Sequence, residues 1–186
     1  MRSYLDSLYR LSGALAAFFI AAICLTVVLQ VAANIVDKLA AWLIGAPIGL
    51  LIPSYAEFTG FFLAAATFFA LAHALRAGSH IRVSLIIRNF RGRARRWIEL
   101  WCLALALALS AFFTFYALDL VYESWFFGDL AVGMVALPMW IPQAAMALGL
   151  VVLTVALLDD LVCVARGGEP SYQGIDETTG APTAGD

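Results

Sequence analysis

Few side chains in this sequence are placed for chemistry, and their spacing narrows what that chemistry could be. The two histidines, His73 and His80, fall near one end of a single apolar stretch. A haem held in a membrane by two axial histidines normally takes them from facing helices, so haem ligation is disfavoured. Asp119 and Glu123 are four residues apart and share one helix face. Two carboxylates so placed could hold a cation, but charges at the outer membrane boundary, in contact with water, are the commoner arrangement. Cys24, Cys102 and Cys163 lie in separate apolar stretches, with no two at metal-ligand spacing, and read as buried free thiols. No dinucleotide fingerprint, P-loop, HExxH or GxSxG occurs. These residues predict neither an enzyme nor an ATPase, and no catalytic, cofactor or metal site.

The densest charge is topological. From Arg76 to Arg96 the chain reads RAGSHIRVSLIIRNFRGRARR. It holds seven arginines, Arg76, Arg82, Arg88, Arg91, Arg93, Arg95 and Arg96, of 11 Lys and Arg in all. Long apolar stretches flank it. Loops rich in Lys and Arg stay on the cytoplasmic side of a membrane, and such a loop is expected to face lipid headgroups. The chain has 186 residues, 63% of them hydrophobic and only 13% charged, with a mean hydropathy of +0.92. A soluble domain is about 45–50% apolar and about 25% charged, so the composition is that of a bilayer protein. A net charge of −2, with no basic face outside that loop, argues against a nucleic-acid partner.

The elements follow from span length, since a bilayer helix needs about 20 apolar residues. A first span is predicted over 11–36, too long for the core of a cleaved signal peptide. Gly13, Ala17 and Ala21 repeat every fourth residue, the small-residue pattern that lets helices approach closely. Gln30 and Asn34 share a face near its far end. Asp37 and Lys38 are expected to end it. The stretch over 37–52, broken by Gly45, Pro47 and Gly49, reads as an interfacial or re-entrant connection, with Trp42 and Tyr55 at headgroup depth.

A second span is predicted over 53–75, with Glu57 one turn inside and Gly60 and Ala64 as a small-residue pair. Gly78 ends it. Val83, Ile86, Ile87 and Phe90 then recur at helical spacing opposite Arg82, Arg88 and Arg91. That pattern predicts an amphipathic interfacial helix over 79–91. A third span covers 97–122, with Ala104 and Ala108 as a further pair. A fourth covers 138–165; Pro138, Trp140 and Pro142 mark its start, and Ala145 and Gly149 form another pair. The segment 167–186, rich in Gly, Pro, Thr and acid, reads as a disordered tail. All but one of the Lys and Arg residues fall on one side, the exception being Lys38, so both termini are expected in the cytoplasm. The fold class is an all-α integral membrane protein, four helices in an up-down bundle.

A secondary transporter usually carries broken helices at a midplane site. Neither broken spans in matching halves nor a charge in the middle of a span occurs here. The order of several short motifs instead resembles the small permease subunit of TRAP (tripartite ATP-independent periplasmic) transporters, the DctQ family. Gln30 and Val31 close the first span as in that family. Glu57 resembles its acidic position, with Tyr55 where a tryptophan is usual. ALRAGSHIRVSLI, Ala74 to Ile86, is similar to its arginine-glycine-x-His-Ile-x-Val junction, with Ser84 where aspartate is common. ALPMWIPQAAMALG, Ala136 to Gly149, is similar to the start of its fourth span.

The resemblance implies a bacterial inner-membrane protein that pairs with a large permease subunit. That partner takes up an organic acid on a sodium or other ion gradient, the substrate being delivered by a periplasmic binding protein. The small subunit braces the large one and helps dock the binding protein. Glu57, Gly60, Ala64, Gly78, His80, Pro138, Trp140, Ala145 and Gly149 are the candidate contacts to the partner subunit. Two other readings stay open: a self-sufficient four-helix exporter, and a membrane anchor for a redox enzyme.

Overall fold

A computed structural model describes residues 2–46, 49–50, 54–77 and 93–167. The interfacial helix expected over 79–91, with Gly78, His80, Arg82, Arg88 and Arg91, lies outside the described residues, and so does the tail beyond Gly167. Four helices account for nearly everything described: α1 (Arg2–Ile44), α2 (Tyr55–Arg76), α3 (Arg93–Phe127) and α4 (Trp140–Ala165). Each is long and apolar enough to cross a membrane. The all-α membrane class suits hydrocarbon because a helix pairs its backbone N–H and C=O groups within one segment, leaving only those at its ends.

The packing order differs from the chain order. α1 packs on α2, α2 on α4 and α4 on α3, with a slighter contact between α1 and α4. Sequence neighbours run antiparallel, since Gly13 meets His73 and Arg96 meets Ala165. α2 and α4 run parallel, because Phe68 meets Gly149 and, farther along both, Arg76 meets Asp159. This parallel pair is the centre. α4 buries the largest share of its apolar stretch, and α1 and α3 the smallest.

Two helices are longer than their apolar runs suggest. α1 does not end at Asp37 and Lys38 but continues to Ile44. Its 43 residues make a rod of about 64 Å, twice the roughly 30 Å hydrocarbon core. Charges end a membrane span without ending a helix, and nothing before Gly45 (φ +78°) breaks the backbone. The chain then turns back, and the Gly49 N–H donates to Asp37 Oδ1 at 2.7 Å. Asp37 therefore ties the return rather than stopping the helix, which corrects the interfacial path expected for 37–44. Likewise α3 begins at Arg93 and runs to Phe127, beyond 97–122 at both ends. Gly128, at φ +69°, closes it.

The segment between α3 and α4 is a small antiparallel loop. Ala131 N–H donates to Leu137 O at 2.7 Å and Met139 N–H to Asp129 O at 2.9 Å. Leu130 and Pro138 face each other across it. Pro138 thus sits in the loop, two residues before the helix.

The cysteines correct a further expectation. Cys24 and Cys102 are exposed and Cys163 is half-buried; none of them is in a disulfide. In a bilayer the outside of the bundle is as apolar as its inside, so a hydrophobic neighbourhood in sequence does not imply burial.

Candidate partner interface

The groups that hold the bundle together separate from those it leaves outward. At the arginine end, Arg76 joins three helices. Its Nη1 lies 3.2 Å from Asp6 Oδ1 of α1, and its Nη2 lies 2.8 Å from Asp159 Oδ2 of α4. The guanidinium carbon sits 4.5 Å from the Tyr9 ring centroid, a cation–π contact. Tyr9 and Asp160 are each 2% exposed beside this cluster. α3 closes the same end, with Arg96 Nη2 donating to Ala165 O at 2.8 Å. That carbonyl is among the last four of α4, which have no intrahelical donor. Two of the arginines expected to face lipid are therefore engaged within the bundle. Arg93 and Arg95 belong to the first turn of α3.

Along the spans the contacts are close. Ser12 Oγ donates to Phe69 O across α1 and α2, and Gly13 lies beneath the His73 ring, where a Cβ would come within 2.8 Å of Cγ. Gly149 lies against the Phe68 backbone, 2.6 Å from where its Cβ would stand. Between α3 and α4, Thr154 Oγ1 meets Ser110 Oγ at 2.8 Å and Thr114 Oγ1 at 2.9 Å. Thr154 and Thr114 also donate to carbonyls one turn back, Leu150 O and Ser110 O, which leaves the Ser110 hydroxyl to donate to Thr154.

At the opposite end, Glu57 of α2 lies against Gly133 of the loop, where a Cβ would fall 1.8 Å from Oε2. A side chain there would displace the carboxylate, the flexible end of Glu57. Below them an apolar cavity of about 220 Å³ opens between α1, α2 and α4, lined by Phe19, Phe58, Phe62, Pro138, Ile141 and Ala145 among others.

The small-residue pairs divide accordingly. Gly149 is buried at the α2–α4 contact, and Ala145 lines the cavity. Gly60 is exposed, with nothing within 4 Å of its Cβ position, and Ala64 is half-buried. Ala17, Ala21, Ala104 and Ala108 all face outward; α1 uses Ser12, Gly13 and Ala16 instead. Gln30 is buried while Asn34 is exposed, so their shared face is covered only in part. Trp140 is 38% exposed. Sequence reasoning missed Asp6, Tyr9 and the Ser110–Thr114–Thr154 trio. The signal for the first was opposite charge at one depth: Asp6, Arg76 and Asp159 all stand at the same membrane face once the topology is known.

What the arrangement offers is a cross-braced set of helices whose outward faces on α1 and α3 are long and apolar. Among the described residues no three His, Cys, Asp or Glu side chains converge on a metal-sized site. No curated protein and no solved structure matches the chain. One family does: that of the tripartite ATP-independent periplasmic transporters, DctQ component, over residues 48–167. The match takes in α2, α3, α4 and the loop that Glu57 lies against, and leaves all of α1 outside. It spans more than half of the chain, which therefore belongs to the DctQ family of TRAP transporter small permease subunits.

Proposed function

We propose that this chain braces the large permease subunit of a TRAP system in the bacterial inner membrane, with the arginine end and both termini in the cytoplasm. The large subunit moves an organic acid on an ion gradient after a periplasmic binding protein delivers it. The observation that carries this reading is the disposition of polar groups. The guanidinium–carboxylate cluster of Arg76 and the hydroxyl trio of Thr154 both join helices to each other, while the cavity present is apolar. That is the construction of a brace, in which polar contacts fix helix positions and apolar faces meet a partner. On the outer side, Glu57 with its loop and the far end of α1 supply the surface nearest the binding protein.

The test is purification of the tagged chain from its native membrane in mild detergent. A large polytopic permease in stoichiometric yield is expected, with uptake in liposomes only when both subunits are present. A lone homodimer that transports by itself would overturn the reading.

A further inference from the structure

The acids of the described helices are held in different ways, and two stand apart. Asp6 and Asp159 are paired with Arg76, and Asp37 accepts the Gly49 N–H. Glu57 lies against the loop. Asp119 and Glu123 of α3 are exposed and make no hydrogen bond or ion pair with any described residue. Their direction is the informative feature. α3 meets α4 through Leu103, Ser110, Thr114 and Ala117. At about 100° per residue, Asp119 falls on the opposite side of α3 from Ser110, aimed away from the bundle, and Glu123 lies one turn on.

Depth sharpens the point. Trp101 and Tyr122, both exposed, are separated by about 31 Å of helix, the spacing of the two aromatic belts of a bilayer. Asp119 stands inside the outer belt. Helical side chains tilt toward the N-terminus, and the N-terminus of α3 is at the arginine end. The Asp119 carboxylate therefore leans into the hydrocarbon rather than toward the headgroups. Ionisable side chains at such depth are matched to a partner group. Around this one lie Phe112, Phe115, Tyr116 and Phe126, all exposed, a composition common at the centre of protein interfaces.

We infer that this outward face of α3 is where the large permease subunit seats, with an arginine or lysine of that subunit meeting Asp119 just inside the outer membrane boundary and Glu123 at it. Charge complementarity selects the occupant. Lipid tails offer no donor, and a second copy of this chain would bring two carboxylates against two. The inference rests on the brace reading above.

The experiment uses the native complex. A photo-crosslinking residue replaces Tyr116, and another replaces Val28 on α1 as a position control. Separately, Asp119→Asn and Glu123→Gln are combined. Recovery of the large permease by the unmodified chain first tests the brace reading itself. Given that recovery, the Tyr116 position is expected to form an adduct with the large permease. The combined variant, still inserted in the membrane, is expected to recover at least about tenfold less of it, as follows when one side of a desolvated charge pair is removed. Full recovery by the combined variant overturns the inference. So does a Tyr116 adduct only with lipid or with a second copy of this chain, or an adduct from Val28 with none from Tyr116. Each of these leaves the brace reading standing.

Discussion

Gly149 and Gly60 sit on neighbouring helices and look alike in sequence, yet they face opposite conditions. A methyl group at Gly149 would press on the Phe68 backbone at 2.6 Å, whereas at Gly60 it would meet nothing within 4 Å. Backbone cannot swing aside as a side chain can. Gly149→Ala is therefore expected to push α2 from α4 and destabilise the chain by about 1–3 kcal/mol. Gly60→Ala is expected to be neutral, or to stabilise by up to ~1 kcal/mol through helix propensity. Unfolding midpoints in one detergent separate the two. Arg76 is the other sensitive position. Arg76→Met leaves Asp159 without its donor and should cost about 1–3 kcal/mol. Asp6→Asn, at the more exposed pair, should cost under about 1 kcal/mol. Equal losses in the same unfolding measurement would mean that Asp6 carries more than its exposure indicates. Which glycine was buried could not be read from spacing, because small-xxx-small marks a face without saying what covers it. Gly149 met α2, while Ala17 and Ala104 are left exposed.

At the scale of elements, hydropathy located all four helices and misjudged two lengths. The apolar runs are bounded by what hydrocarbon tolerates, while a helix continues until its backbone is turned. Asp37 and Lys38 marked the first limit in α1, and Gly45 the second. The registers of α1 and α2, with Gly13 level with His73 and Phe19 with Phe62, place Tyr55 about level with the turn before Gln30. α1 therefore rises roughly 20 Å beyond the start of α2, with Trp42, Leu43 and Ile44 exposed near its tip. Among the described residues, the return is tied by the Gly49 N–H bond to the Asp37 carboxylate. Asp37→Ala should release it, at about 1 kcal/mol for one lost hydrogen bond. Hydrogen exchange would report this as faster exchange at Gly49, with α2 and α4 unchanged. Slowed or unaltered exchange there would mean that other contacts hold the return.

For the whole molecule, the order α1–α2–α4–α3 was not legible, because nothing local in a sequence states which spans touch. Four alternating spans fix directions, so α2 and α4 must be parallel. Only the matched partners (Phe68 with Gly149, Arg76 with Asp159, Ser110 with Thr154) make α4 the helix between α2 and α3. Cysteine pairs check it in membranes. Ser110→Cys with Thr154→Cys should join readily under a short crosslinker. Phe18→Cys with Phe113→Cys, on the two outer helices, should not. Rapid joining of the second pair within one chain would require a closed bundle instead of this arrangement.

The central place of α4 also has a consequence for biogenesis. It is the last of the four helices to leave the ribosome, and chains acquire structure from the N-terminus onward. Until α4 arrives, α1 and α2 can pair as a hairpin, but α3 waits in the membrane without its hydroxyl partner Thr154 and without the Ala165 carbonyl that Arg96 grips. From the completion of α3 until α4 arrives, the nascent chain thus holds two parts that do not pack on each other, and α4 is what joins them.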